Sequence, residues 1–131
     1  MPPDRSCIVL VDDSADIRET FSELLEDAGY HVVSCADGLE ALLCIGATRP
    51  DAIVLDLMLT DISGFDVYRT LKGNPEFAGV PVVFVSGVIL DEGILRARVG
   101  EPTARLLLKP VTGEVLIEEI EAARARAARA A

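Results

Sequence analysis

Five short apolar runs alternate with amphipathic stretches, and this alternation constrains the fold of the chain more than any other feature. Three of the runs are nearly unbroken in Val, Ile, Leu and Phe, which is typical of strands covered on both faces. Strands and helices that alternate with short connections predict right-handed βαβ units and a parallel sheet. The predicted strands are residues 7–11, 31–35, 52–55, 80–85 and 105–108.

Small polar residues and glycines mark the ends of five predicted helices. The predicted N-caps of the first, second, third and fifth helices are Ser14, Asp37, Ser63 and Thr112, and Gly29 ends the first helix. The other helices are placed at residues 38–47, 64–72, about 91–99 and from Thr112 onward. The most economical architecture is α/β: a doubly wound, flavodoxin-like (βα)5 three-layer sandwich with its five-stranded parallel sheet in the order 2-1-3-4-5.

The length and charge of the chain set further limits. Its 131 residues fit a single domain, and half of them are hydrophobic although the formal net charge is −10. Such an acidic chain is a poor partner for nucleic acid, because phosphate contacts need a positive surface. We find no secretory signal and no apolar stretch long enough to cross a bilayer, so we expect a cytoplasmic protein with no membrane partner.

Neither the two ends of the chain nor the cysteines carry a sign of a functional site. Residues 1–5 are expected to be a flexible N-terminus, and the alanine-rich residues 123–131 are either the end of the last helix or the start of a linker. Cys7, Cys35 and Cys44 are odd in number and lack the sequence spacing of a metal site. We therefore expect the three cysteines to act as small buried hydrophobes in a reducing compartment.

Polar residues follow four of the five apolar runs at the point where each run stops. Asp12 and Asp13 follow the first run, Asp56 the third, Ser86 the fourth and Lys109 the fifth. The carboxyl ends of parallel strands meet at one edge of a sheet, where open α/β sheets bind their ligands. Three carboxylates that close repel one another, and a hard cation bound by oxygen relieves the repulsion. Mg²⁺ fits best, because it also accepts phosphoryl oxygens.

The same residues suit the transfer of a phosphoryl group. Asp56 can act as a nucleophile toward phosphorus, in a reaction that needs positioning and charge neutralisation more than acid–base catalysis. Lys109 would hold phosphoryl oxygens, the Ser86 hydroxyl would bond to one of them, and Gly87 would leave room for the group. Each residue alone has a plainer interpretation, as a turn acid, a loop residue or a solvated strand end. Their joint occurrence at strand ends favours the phosphoryl site.

These motifs resemble those of the response-regulator receiver domains of two-component phosphorelay signalling. The resemblance covers residues 6–122, and its motifs are Asp12-Asp13-Ser14, Asp56 with Gly64, Ser86-Gly87 and Lys109-Pro110. It implies a phosphorylation switch that is no turnover enzyme and that receives its phosphoryl group from a sensor histidine kinase or a histidine phosphotransfer protein. The implied downstream partner is a protein effector or a covalently linked output domain, and a homodimer is left open.

The resemblance also implies a role for each residue of the site. Asp56 would be the phospho-acceptor, and Lys109, joined to Pro110 by a cis peptide bond, would bridge to the phosphoryl group. The implied Mg²⁺ ligands are Asp13 directly, Asp12 through water, Asp56, and the backbone carbonyl of Met58.

A switch and partner surface is implied beside the site, formed by the fourth helix, the fifth strand and the fifth helix. Ser86 would be the switch hydroxyl that moves toward the phosphoryl group. Leu106 stands where the family usually has an aromatic residue, so the readout is expected to be weaker or built differently. The other residues assigned to the switch and its partner surface are Gly87 and Val88.

The loops around the site depart from the family pattern in two places. Thr60 replaces the usual proline four residues after the acceptor, which predicts a looser loop, and Asp61 beside it is expected to be a solvated acid. After Ser86, residues 88–90 are all apolar. We expect these three to pack into the core, and the alternative is a docking loop that phosphorylation exposes or buries.

Other functions were weighed against the switch. A degenerate receiver that serves as a phosphorylation-independent docking module is the main alternative, and Thr60 and Leu106 slightly favour it. A Mg²⁺-dependent phosphatase would carry a second acid two residues after its nucleophile, where this chain has Met58. A free-standing receiver is preferred slightly over a fragment of a larger regulator or hybrid kinase, because Met1 lies close to the first strand.

Overall fold

A computed structural model describes residues 5–101 and 104–130 of the chain. Within these ranges strands and helices alternate as predicted. Of residues 1–5, which were expected to be flexible, residues 1–4 lie outside the described ranges, as does the last residue of the chain. The strands are β1 Cys7–Val11, β2 His31–Cys35, β3 Ala52–Asp56, β4 Val82–Ser86 and β5 Leu106–Leu108. The helices are α1 Ala15–Asp27, α2 Gly38–Thr48, α3 Gly64–Lys72, α4 Glu92–Val99 and α5 Gly113–Ala130.

The five strands form one parallel sheet in the order β2-β1-β3-β4-β5, which confirms the predicted doubly wound topology. Successive residues of each strand point to opposite faces, so Val9 packs with α2 and α3 while Ile8 packs with α1 and α5. The helices α2, α3 and α4 cover one face of the sheet, and α1 and α5 cover the other. The result is the expected three-layer sandwich.

The polar residues predicted to start the helices do so. The side-chain oxygens of Ser14, Asp37, Ser63 and Thr112 each accept a hydrogen bond from a backbone amide in the first turn of their helix. These bonds satisfy amides that have no partner within the helix. Gly29 follows α1 with a φ of 101°, a conformation that glycine adopts without steric cost. Residues 123–130 continue α5.

Strand boundaries differ from the prediction by one or two residues. The predicted third and fourth strands stopped before Asp56 and Ser86, whereas both residues are the last residues of their strands. The ladder continues through them because Asp56 pairs with Val85, and Ser86 pairs with Leu108. The fourth strand begins at Val82, two residues later than predicted, since Pro81 lacks an amide to donate.

Gly64 and Gly46 provide a matched pair for testing the packing beneath the acidic edge of the sheet. A Cβ at Gly64 would meet the Asp56 carbonyl and lie 2.7 Å from the Leu57 Cα, so the backbone itself would have to move. Gly46 lies inside α2, and a Cβ there meets nothing within 4 Å.

We expect Gly64→Ala to lower the free energy of unfolding by about 1–3 kcal/mol through overpacking. We expect Gly46→Ala to raise it by roughly 0.5–1 kcal/mol through helix propensity. Urea unfolding of both variants measures the difference, and a stability unchanged by Gly64→Ala would contradict the close approach.

No helix in the described ranges is both long enough and apolar enough to span a lipid bilayer.

Candidate functional site

The predicted site residues come together at the carboxyl ends of β1, β3, β4 and β5. Asp12 directly follows β1, and its backbone amide donates to the Cys35 carbonyl at the end of β2. The ladder aligns Val11 with Leu55, so the next residues, Asp12 and Asp56, lie side by side. Parallel register therefore places these carboxylates together at the switch point of the sheet.

Lys109 bridges the two buried carboxylates. Its Nζ lies 2.6 Å from Oδ2 of Asp12 and 2.9 Å from Oδ2 of Asp56. The Asp12 and Asp56 side chains are almost fully buried, and that of Lys109 is mostly buried. Charge-assisted hydrogen bonds of this length are strong in a site that excludes water. The ammonium group thus holds both acids where a ligand can reach them from the edge of the sheet.

Burial and charge shift the pKa values of this pair. Desolvation raises the pKa of Asp56, and the nearby Asp12 charge adds to that effect, while hydrogen bonds from Lys109 and the Met58 amide oppose it. Desolvation alone would lower the pKa of Lys109, but its hydrogen bonds to Asp12 and Asp56 outweigh the burial and raise it. Lys109 is therefore firmly cationic, and the Asp56 carboxylate is held at an energetic cost that an additional positive charge would reduce.

Backbone groups orient the side chains further. The Met58 amide donates to Oδ1 of Asp56 at 2.9 Å, and the Ser14 amide donates to Oδ1 of Asp12 at 2.9 Å. The buried Ser86 hydroxyl accepts from the Val88 amide at 3.0 Å. A serine hydroxyl that accepts in this way keeps its proton for donation to another acceptor.

The carboxylates of Asp12, Asp13 and Asp56 can hold a metal ion. One oxygen from each lies within 4.8 Å of the others, and Asp13 is exposed to solvent while its two neighbours are buried. The donor set is purely oxygen, and Lys109 balances only part of its charge, so the cluster fits a hard divalent cation. The Lys109-Pro110 peptide bond is cis, as the resemblance implied.

The apolar segment after Ser86 does not pack as expected. Val88 is 54% exposed and Ile89 is 85% exposed, so the prediction that residues 88–90 enter the core is wrong for these two. Of residues 88–90, only Leu90 packs against the core, where the half-buried Leu106 also packs. The physical reason is that β4 ends at Ser86 and α4 begins at Glu92, so the connection runs over the surface of the molecule. Gly87 beside it is exposed, with the Lys109 Cδ 4.0 Å from a Cβ built there.

The prediction for Asp61 was incomplete, because the residue is exposed as expected but also has a specific partner. Its side chain is not simply solvated, because the two carboxylate oxygens accept hydrogen bonds from the amides of Gly38 and Leu39 at 2.9 Å each. Gly38 and Leu39 belong to the first turn of α2 and precede Asp61 by 23 and 22 residues in the sequence. No sequence pattern marks this contact, since Asp61 precedes an ordinary Ser63 cap of another helix.

A second cluster lies between β2 and α2. Cys35, Glu40 and Cys44 each bring one ligand atom within 4.8 Å of the others, although their spacing in the sequence did not predict a metal site. Cys35 is buried as expected, and Cys7 and Cys44 are only partly buried. Burial raises the pKa of the Cys35 thiol, and the neighbouring Cys44 raises it further. Cys35 lies in the core with Cys44 packed against it, as expected for small hydrophobes, and Glu40 is exposed beside them.

Comparison with known proteins gives a uniform result. The family model for the response regulator receiver domain matches residues 8–121. The polar-differentiation response regulator DivK of Brucella anthropi is 32% identical over 114 residues, which are 87% of this chain and 92% of DivK. Protein PilG of Pseudomonas aeruginosa is 31% identical over 117 residues, covering 88% of this chain and 84% of PilG. The structure of the Vibrio cholerae chemotaxis protein CheY4 superposes with a TM-score of 0.83 at 28% identity, covering 92% of this chain and 99% of CheY4.

Proposed function

Because this chain belongs to the response regulator receiver family, we propose that it is a phospho-acceptor switch whose Asp56 takes a phosphoryl group from a phosphohistidine. The observation that carries the proposal is the bridge from Lys109 to the buried carboxylates of Asp12 and Asp56, with Asp13 beside them. The donor would be a sensor histidine kinase or a histidine phosphotransfer protein in the cytoplasm. Residues 1–131 would act as one receiver unit.

The transfer forms a bond between a carboxylate oxygen of Asp56 and phosphorus while the bond from phosphorus to the donor nitrogen breaks. The donor imidazole keeps the electron pair and gains a proton, and Asp56 becomes an acyl phosphate. Lys109 and the Met58 amide each hold one oxygen of Asp56, so the carboxylate is oriented before the donor arrives. Lys109 is then placed to neutralise charge on the transferred group.

Mg²⁺ would be held by Asp12, Asp13, Asp56 and the Met58 backbone carbonyl, and it would supply positive charge to the phosphoryl oxygens. The fit rests on the oxygen donors and on the raised pKa of Asp56, which burial causes. Ser86 would donate its hydroxyl proton to a phosphoryl oxygen, since that proton is not needed for the bond from Val88.

Phosphorylation would shift the population toward a state in which Ser86 and the segment after it have moved. The partner surface formed by α4, β5 and α5 would change with them, with Gly87, Val88 and Leu106 as its nearest residues. The exposure of Val88 and Ile89 supports a docking role for this segment. The partner would be an effector protein or a linked output domain, and a homodimer through this surface is an alternative.

The proposal is tested by the intact mass of the chain after incubation with acetyl phosphate and Mg²⁺. We expect one added phosphoryl group, lost with a chelator and strongly reduced in Asp13→Asn. Uptake that is equal with and without Mg²⁺ would contradict the role of the acidic cluster. If no sample gained a group and the chain also failed to bind Mg²⁺ in a calorimetric titration, the docking-module alternative would replace the switch.

We expect the phosphoryl group to be long-lived. Hydrolysis needs a water in line with the phosphorus, and the side chains flanking the site, Met58 and Val88, are exposed and have no group that could orient one. The mass of the phosphorylated chain, followed after removal of the donor, measures the lifetime. We expect Met58→Asn to shorten it by roughly tenfold, because an amide can position a water. Decay of the unmodified sequence within seconds would overturn the prediction.

A further inference from the structure

The loop between β3 and α3, residues 57–63, carries the Met58 carbonyl that the proposed function assigns to Mg²⁺. Its two ends are fixed by backbone contacts. The Leu57 amide donates to the Val85 carbonyl at 3.1 Å, and the Gly64 amide donates to the Leu57 carbonyl at 3.0 Å. Thr60 stands in the middle of the loop, where the family usually has a proline that would stiffen the backbone.

Asp61 ties the middle of this loop to α2. One carboxylate oxygen accepts from the Gly38 amide and the other from the Leu39 amide, both at 2.9 Å. These amides belong to the N-terminal turn of α2, where Gly38 is buried and Leu39 is exposed. A negative charge at this end of the helix is also favoured by the helix dipole. The hydrogen bonds lower the pKa of Asp61 to about 2, with the bond from Gly38 having the largest effect.

Apolar contacts reinforce the tie. A Cβ placed on Gly38 would collide with the Ile62 side chain, so the residue after Asp61 lies directly on the first turn of α2. Further along the helix, Ala41 and Ile45 are fully buried in the core. The loop is therefore anchored to an element that cannot move without disrupting the core.

We infer that Asp61 is a positioning residue for the phosphorylation site, which holds the loop 57–63 against α2 and so fixes the Met58 carbonyl for Mg²⁺. The effect on Mg²⁺ binding rests on the proposed function, whereas the contacts between the loop and α2 are present in the metal-free chain. In this chain Asp61 restricts the loop through its hydrogen bonds, whereas in the usual family pattern a proline at the position of Thr60 restricts its backbone. Residues that orient metal ligands without contacting the metal matter for affinity, and mutating one typically weakens metal binding by one or two orders of magnitude.

Asp37 provides the matched control. Its side chain accepts from the Glu40 amide at 2.8 Å, so it caps the same end of α2 through a bond within that helix. Asp37→Ala and Asp61→Ala both remove a carboxylate from this helix end and should lower the melting temperature to a similar degree. Only Asp61→Ala should free the loop.

The test measures the Mg²⁺ dissociation constant by calorimetry and the hydrogen exchange of residues 57–63 in the metal-free chain. We expect Asp61→Ala to weaken Mg²⁺ binding about tenfold and to speed exchange in the loop, while Asp37→Ala changes neither. Mg²⁺ affinity and loop exchange that are the same in both variants would reduce Asp61 to a helix cap and overturn the inference. If an alanine variant failed to fold, Asp61→Asn against Asp37→Asn would make the same comparison.

The two proposals fail separately. If the unmodified chain bound no Mg²⁺, the proposed function would fall, and loop exchange in the metal-free variants would still decide whether Asp61 holds the loop. If the unmodified chain bound Mg²⁺ and Asp61→Ala bound it equally well, only the role of Asp61 would fall.

Discussion

Asp56→Asn is expected to abolish phosphoryl uptake from acetyl phosphate, whereas the unmodified chain gains one group. An amide oxygen is a far weaker nucleophile than a carboxylate, and the substitution leaves the shape of the side chain unchanged. The variant should remain folded, because burial raises the pKa of Asp56 and an uncharged residue avoids that cost. Intact mass measures the uptake, and a thermal melt of the same sample establishes that the variant is folded.

Asp51 provides the control for Asp56→Asn. Asp51 lies outside the strands, where its carboxylate accepts from the Cys7 amide at 2.7 Å, at the end of the sheet opposite the site. Asp51→Asn should take up the phosphoryl group as the unmodified chain does. An adduct of equal size on Asp56→Asn would show that another residue is the acceptor.

Lys109→Met should cause the largest loss of stability of any single substitution considered, about 3–5 kcal/mol in the free energy of unfolding. The substitution removes the ammonium group and leaves the buried carboxylates of Asp12 and Asp56 without their shared counter-charge. The methionine side chain preserves most of the volume, so packing contributes little to the loss. Urea unfolding at neutral pH without Mg²⁺ measures it.

An exposed ion pair with the same contact distance serves as a control that tests the effect of burial alone. Arg69 and Asp66 lie 2.9 Å apart, as do Lys109 and Asp56, but both Arg69 and Asp66 side chains are more than half exposed. Arg69→Met should therefore cost only a small fraction of what Lys109→Met costs, because solvent screens the exposed pair. Adding Asp56→Asn to Lys109→Met should recover part of the lost stability, because it removes one of the two buried carboxylates that have lost their counter-charge. Equal losses in the two methionine variants would contradict the electrostatic role of Lys109.

The fold was predictable because local signals agreed with one another. Apolar runs without polar interruptions predicted strands covered on both faces, and Ser14, Asp37, Ser63 and Thr112 cap helices where they were expected. The assembly of Asp12, Asp56 and Lys109 follows from the same pattern, since each residue directly follows or ends a strand of one parallel sheet.

The loops were less predictable because their contacts are tertiary. The carboxylate of Asp61 reaches amides of α2, and an exposed acid looks the same in sequence whether it meets water or a distant helix end. Val88 and Ile89 are as apolar as core residues, but the path between β4 and α4 leaves them exposed. Hydrophobicity indicates which residues favour burial, whereas the course of the backbone determines whether a covering element is present.

The most direct test of the central proposal is to locate the phosphoryl group by tandem mass spectrometry. The chain is phosphorylated with acetyl phosphate and Mg²⁺ and then treated with borohydride, which reduces an aspartyl phosphate to homoserine. We expect homoserine at position 56 and at no other position, and none when the donor or Mg²⁺ is left out. Homoserine at Asp12, Asp13 or any other acid, with Asp56 intact, would contradict the assignment of Asp56 as the phospho-acceptor.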